Sequence, residues 1–502
     1  MVSYQAHDLG VWVRVPSLLV RMGLMGIISP EMLLSTVVLG LVLYGINFSI
    51  VKISIGAFFL VGVVSIQLWV GSIYVSDYLI CWTNGLLLTN SWVVISKIII
   101  VVGLVSLLLM YGFPRLEIGT KRQMDKGFWI YANEGSWVIL VLIIALSSLL
   151  LVSSINWLSI YLAIELQTLT LFILVAIKRD SVYSTEAGLK YFVLGAVSSG
   201  LFLFGCTLLY GLTGETSIQG VNSILISDIG KILITISLLF KLSAAPFHMW
   251  APDVYEGAPT IITALLATVP KVAVFSILVQ IGPVTNVILV CTVLSIVYGS
   301  IGALNQTKIK RLLAYSGIGH MGFILFGVGI GSFESIQASL IYMIIYIIMT
   351  VCVFSIILSL KLTKTLIVEV SGLSRKDPVI ALTLALIFLS IAGIPPLAGF
   401  LSKWLILLAG VSSGYYLISI IVVLSSVIAG VYYVRLVQII FFPFGMVDYS
   451  MLIWQKTLRK EQRINLSRSL LIGFTFFMVL FLMISPSFLL QITYDAVISL
   501  YL

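Results

Sequence analysis

The sequence predicts an all-α, polytopic membrane protein of about 14 transmembrane helices, ten of them forming two inverted five-helix repeats, each with a discontinuous helix. Three observations carry this reading. The 502-residue chain is 60% hydrophobic and only 9% charged. A soluble domain cannot hide that much apolar surface, so lipid must be its main solvent. The basic residues are confined almost wholly to alternate connections between apolar runs. Two prolines, Pro246 and Pro395, interrupt such runs 149 residues apart.

Apolar windows about 20 residues long, enough to span a bilayer core, start near Ile28, Ile53, Val93, Ser136, Trp157, Tyr183, Ile229, Pro259, Val284, Thr307, Glu334, Pro378, Ser413 and Ser469. Connections after odd-numbered windows hold 19 of the 28 lysines and arginines, among them Lys178, Arg179, Lys308, Lys310, Arg311, Arg375 and Lys376. Connections after even windows hold none, with Lys97 and Lys231 read as helix-edge residues. That asymmetry supports both the helix count and an orientation, with odd connections facing the electrically negative compartment and both termini the positive one. Shifting windows four to eight by 149 residues reproduces windows nine to thirteen. Five helices is an odd number, so the second copy is inverted, an arrangement found in transporters with an ion site near the midplane. The implied segments are 1–27, 28–112 (windows one to three), 135–282 (first repeat), 284–442 (second repeat), 443–468 (basic loop) and 469–502 (last helix). Residues 1–27 read as an amphipathic helix lying at the interface rather than as a targeting peptide.

Several function classes are excluded. The four cysteines lie singly in apolar runs, without the spacing of a zinc or iron–sulfur site or a disulfide framework. No phosphate-cradling glycine loop is visible. No metal and no bound cofactor are expected. The net charge of +9 reflects topology, not nucleic-acid binding.

The charges left inside the windows carry the chemistry. They are Lys190, Lys241, Lys271, Lys403 and Arg435, against Glu31 and Glu165. Each costs about 2.5–3.5 kcal/mol at membrane depth, so its default reading is functional. Arg435 sits near a helix end and snorkels. Glu31, in "SPEMLLS", is read either as a helix-start cap or as a transport group. Lys190 can reach either the headgroups or Glu165. Lys241, Lys271, Lys403 and Glu165 have no such escape, and one acid cannot neutralise three lysines. They either brace helices statically or move protons. Burial disfavours the charged form of a lysine and a nearby carboxylate favours it, so motion of Glu165 relative to Lys241 would switch proton binding. Arginine could not serve, because it stays protonated. Pro246 and the pair Pro395 and Pro396 break the helices and free backbone carbonyls that protein or water must satisfy. His248, beside the first break, is read either as a proton relay or as packing next to an interfacial Trp250. His320, mid-helix near Tyr315 and Ser316, is the stronger relay candidate.

The stretches "FKLSAAPFHMWAPDVYEGAPT", "STEAGLKYFVLGAVSSGLFLFG", "KRLLAYSGIGHMGF" and "AGIPPLAGFLSK" together resemble the antiporter-like proton-channel family of respiratory complex I, in its NADH dehydrogenase subunit 2 branch. The resemblance runs from about Ser136 to Tyr433, and the closing "AVISLYL" is similar to the plant and algal mitochondrial form. It implies that Glu165 is the fifth-helix carboxylate, Lys190 the sixth-helix lysine, Lys241 the lysine of the first broken helix, Lys271 the central eighth-helix lysine and Lys403 the lysine of the second broken helix. A lysine at this last position is the subunit 2 pattern, where subunit 4 would carry a glutamate. Two departures are the missing second proline in "GAPTIITALLATVPK" and Gly317, where a serine is common. The resemblance further implies a proton-translocating subunit without a redox centre, in the mitochondrial inner membrane among other membrane-arm subunits, with odd connections on the matrix side. The rival readings are a stand-alone Mrp-type cation/proton antiporter and a purely structural subunit.

Overall fold

The computed structural model describes residues 30–44, 62, 80–82, 87–111, 124–218, 228–282, 284–360, 362, 365–442 and 465–501. The segment 1–27, the window at Ile53 and most of the basic loop 443–468 lie outside the described residues. Nine helices among the described residues are long and apolar enough to cross a membrane, and three shorter apolar helices accompany them.

The chain begins with α1 (Pro30–Tyr44), a small antiparallel hairpin of β1 (Ile80–Trp82) and β2 (Leu87–Thr89), and α2 (Ser91–Tyr111). Ile80 pairs with Thr89 and Trp82 with Leu87, a minor strand element that the all-α expectation did not contain. The first repeat holds α3 (Met124–Ser153), α4 (Trp157–Val175) and α5 (Val182–Thr213), then the broken helix α6 (Asp228–Lys241) and α7 (Trp250–Gly257), then α8 (Thr260–Ala267) and α9 (Val269–Ile281). The second holds α10 (Thr285–Ala303), α11 (Ile309–Ile330), α12 (Phe333–Leu360), the short α13 (Leu373–Lys376), the broken helix α14 (Pro378–Ala392) and α15 (Ala398–Ser412), and α16 (Tyr416–Phe441). The chain closes with α17 (Leu466–Ile484) and α18 (Ser487–Tyr501).

Two windows differ from expectation. The eighth is two helices, because Thr268 leaves helical geometry (φ −114°, ψ −85°) just before Pro270, whose nitrogen cannot donate within a helix. The last window also divides, at Ser485 and Pro486, and α18 folds back across the bundle. There Trp92 N–H donates to Ser499 Oγ at 3.0 Å and Tyr501 OH to the Gly331 carbonyl at 3.0 Å.

Both predicted breaks are real and built alike. At the first, Ser243 N–H donates to Phe240 O and Ala244 N–H to Leu239 O. At the second, Gly393 N–H donates to Ser390 O and Ile394 N–H to Leu389 O. Each is a Schellman-type C-terminus, with its left-handed residue Ser243 (φ 58°) or Gly393 (φ 87°). This common motif sets the register at 150 residues, so Pro246 matches Pro396 rather than Pro395. The peptide bonds preceding Pro246 and Pro396 are both cis.

Helices α8, α9, α11 and α12 are buried along most of their length, whereas α5, α16 and α17 bury about a third or less. The central helices approach closely where small residues meet. A Cβ on Gly299 of α10 would lie 2.5 Å from Gly319 N and 2.7 Å from its Cα. Gly299→Ala must therefore part α10 and α11, and a loss of about 1–3 kcal/mol is expected in reversible unfolding of the detergent-solubilised protein. Gly200→Ala, facing open space within α5, should show no such loss, because alanine is the better helix former.

Candidate functional site

The central helices bring Lys271, His320 and Lys403 together in the buried interior, and the first break places Lys241 near Glu165. Lys241 is the last residue of α6, partly buried, and its Nζ donates to the Gly195 carbonyl of α5 at 3.4 Å. Gly195 is required here by space, since a Cβ would lie 2.7 Å from the Phe172 ring and 3.9 Å from Lys241 Nζ. Glu165, on α4, acts on Lys241 electrostatically. Among the described residues it makes no ion pair within 4 Å, and it accepts from Thr168 Oγ1 at 3.4 Å.

Lys271 follows the kink at Thr268 and is 2% exposed. Its ammonium lies 5.8 Å from the Tyr255 ring centre and 5.7 Å from that of Tyr346, distances at which an aromatic face attracts a cation. Gly317, one of the two departures from the family pattern, leaves this ammonium room. A Cβ there would lie 3.6 Å from Lys271 Nζ and 3.3 Å from Tyr346 OH. Tyr255, Tyr346, Ser316 and His320 also line a small cavity wide enough for a water molecule.

His320 is buried on α11 and lies near enough to both Lys271 and Lys403 to feel their charges. Its Nδ1 is 2.8 Å from Tyr342 OH, a bond that orients the ring. Lys403, on α15, is buried, lies 5.4 Å from the Phe323 ring centre, and donates to the Ala392 carbonyl at 2.7 Å. That carbonyl closes α14, and its helical donor would have been the nitrogen of Pro396, which carries no proton. Gly393 is needed twice at this point, for its positive φ and because a Cβ would come 2.8 Å from Lys403 Cδ.

Other residues stand differently from their sequence readings. Lys190 does not reach Glu165 in this structure. Its side chain is 43% exposed and pairs with Glu186 and Asp253, both at 2.9 Å. Trp250 is buried rather than interfacial, and its Nε1 donates at 3.0 Å to the Phe240 carbonyl, which also accepts from Ser243 N–H. His248 packs on Tyr298 with ring centres 5.4 Å apart. Arg435 is exposed on α16. Lys97 is no helix-edge residue. It is buried and bonded to Glu31, because α1 and α3 cover that turn of α2.

Sequence reasoning also missed a charged clamp on α7. Arg311 lies 3.7 Å from Asp253 and 3.4 Å from Glu256. Lys308 pairs with Glu256, and buried Lys310 donates to the Ala258 carbonyl at 2.8 Å. Basic groups at a helix C-terminus complement its dipole, so the start of α11 in the second repeat holds α7, the second half of the first repeat's broken helix. The signal was present in "APDVYEGAP", two acids in one turn after the break, while the basic triplet was absorbed into the topology argument.

Two helices broken at membrane depth around lysines define an antiporter-like, polytopic membrane protein. The sequence model of the NADH:quinone oxidoreductase/Mrp antiporter transmembrane family matches residues 154–429. NADH-ubiquinone oxidoreductase chain 2 of Metridium senile is 63% identical over 376 residues, covering 72% of this chain and 97% of that one. The chain 2 of Marchantia polymorpha is 39% identical over 389 residues, covering 73% and 78%. A chain of respiratory complex I from Thermus thermophilus with bound Aureothin superposes with TM-score 0.76 at 25% identity, covering 92% of this chain and 98% of its own. The chain belongs to this NADH:quinone oxidoreductase/Mrp antiporter family, on its chain 2 branch.

The clamp generates a direct test. Asp253→Asn removes the partner shared by Lys190 and Arg311. It should lower the unfolding midpoint of the solubilised protein at low ionic strength, and the difference should shrink in high salt, because exposed pairs are screened.

Proposed function

We propose that this chain is a proton-translocating membrane-arm subunit of an NADH:quinone oxidoreductase, seated among other membrane-arm subunits in the mitochondrial inner membrane. The observation that carries the proposal is the set of bases at membrane depth: Lys271, His320 and Lys403 buried together, and Lys241 with Glu165 nearby, none of them in an ion pair among the described residues. Static bracing would pair these charges, since an unpaired ion in lipid is a cost without a return. The subunit carries no redox centre and binds no cofactor or metal, and energy arrives from the rest of the complex. Connections after odd windows face the matrix and the termini face the intermembrane space.

In this mechanism Glu165 approaches Lys241 and favours its protonated form. Withdrawal of the carboxylate favours release, and the proton passes inward to Lys271 between the two tyrosine rings. His320, oriented by Tyr342, relays it toward Lys403. Lys403 then releases it toward the exit. Every transfer moves a proton between nitrogen bases or water, and no bond to carbon changes. Lys190 supports the route from outside, by holding Asp253 on α7.

Lys241→Ala should abolish or sharply reduce proton translocation in sealed vesicles while the complex still assembles; full translocation by that variant would remove the basis of the proposal. Tyr342→Phe keeps the ring and removes the hydroxyl. It should slow translocation about fivefold, the equilibrium weight of one lost hydrogen bond, with assembly unchanged. Purification separates the antiporter alternative: co-migration with a large NADH-oxidising assembly supports the proposal, and migration as a small cation-exchanging complex favours the Mrp-type reading.

A further inference from the structure

One buried ion pair lies outside this set of bases. Glu31 opens α1, and Lys97 lies in the second turn of α2; their carboxylate and ammonium are bonded directly. Glu31 is 5% exposed and Lys97 2%. Ser153 Oγ, at the end of α3, donates to the same Glu31 Oε1 at 3.3 Å. Both charges are thus satisfied within protein, unlike Lys241, whose carboxylate stands off. Desolvating such a pair costs about what its attraction returns, so its best-attested use is to fix one arrangement of helices against others.

Two helices that meet at this pair continue toward those bases. On α2, Trp92 Nε1 donates to Ser276 Oγ of α9 at 2.8 Å, in the buried interior. Further along, Gly103 is packed so closely that a Cβ would lie 3.3 Å from Val269. These contacts fall on either side of Lys271. On α3, the Val152 carbonyl accepts from Gln280 Nε2 of α9 at 3.2 Å. The chain then turns at 153–156 into α4, which carries Glu165.

We infer that Glu31 and Lys97 form a positioning pair, locking α1 and α2 to the end of α3 so that α2 holds α9 and keeps Lys271 on the proton route. The inference rests on the proposed proton route, because the placement of Lys271 matters to transport only if protons pass through it. Neither residue transfers a proton. Their effect travels through Trp92, Ser276 and Gly103.

The test measures protons moved per electron in vesicles containing equal amounts of assembled complex, a ratio that reduced assembly alone does not change. Glu31→Gln should lower the ratio at least about twofold, within the range of such indirect couplings. The charge swap Glu31→Lys with Lys97→Glu should restore it. Trp92→Phe and Ser276→Ala leave the ion pair intact and remove the brace on α9, so each should also lower the ratio about twofold or more. A wild-type ratio in assembled Glu31→Gln complex overturns the inference. Should that variant not assemble, wild-type ratios in both Trp92→Phe and Ser276→Ala overturn it. Lys271→Met separates the two levels. If that variant pumps normally, the proton route itself fails. If it does not pump while the other variants keep the wild-type ratio, only the positioning role fails.

Discussion

A carbonyl freed at membrane depth has no water to turn to, and this constraint shapes both breaks. Each break uses a Schellman turn to reclaim released groups, and each adds a side-chain donor near the helix end. At the first break Trp250 Nε1 joins Ser243 N–H on the Phe240 carbonyl. At the second Lys403 reaches the Ala392 carbonyl, whose helical donor would have been the proline nitrogen of Pro396. The two lysines are therefore held differently. Lys241 makes a long contact to the Gly195 carbonyl of α5. Lys403 answers a carbonyl at its own break.

The same constraint explains how the other charges are distributed. Lys190, Asp253, Glu256, Lys308 and Arg311 sit toward one end of the bundle, where partial exposure makes ion pairs inexpensive. Lys97 and Glu31 are deep, and there the pair closes completely, with a serine hydroxyl in support. Lys271 and Lys403 combine depth with open pairing, having no ion pair among the described residues. Aromatic faces take the place of carboxylates around Lys271 and Lys403, attracting a cation without binding it in a fixed geometry.

Much of this was legible in the sequence, for identifiable reasons. Proline in an apolar run has one physical consequence, so both breaks were readable, although only the backbone bonds revealed that Pro396 matches Pro246. Lys241, Lys271 and Lys403 stood out because no connection was near enough to explain them. Lys97 did not, because its depth depends on α1 and α3 folding over it, which hydropathy along one helix cannot express. Lys190 was undecided for the converse reason: its partners, Glu186 and Asp253, come from its own helix and from beyond the break. The tyrosines beside the buried bases were invisible, since Tyr342 and Tyr346 look like ordinary core aromatics until His320 and Lys271 are seen against them. The kink at Thr268 follows from Pro270, a cue hidden inside an otherwise continuous window.

The two broken helices also carry their lysines on opposite sides of the break, Lys241 before it and Lys403 after it, so the halves are not copies at the level of chemistry. The physical environment is nonetheless shared. Lys241 occupies the last turn of α6, and Lys403 reaches back to the carbonyl that ends α14. Both ammonium groups therefore belong to the C-terminal end of the leading half-helix, where unsatisfied carbonyls and the helix dipole favour positive charge. A lysine can reach that end from its own half-helix or from the one that follows, and this chain uses each route once. What the two halves have in common is thus the polarity of a helix end, a property of the backbone that survives even where the side chains have moved.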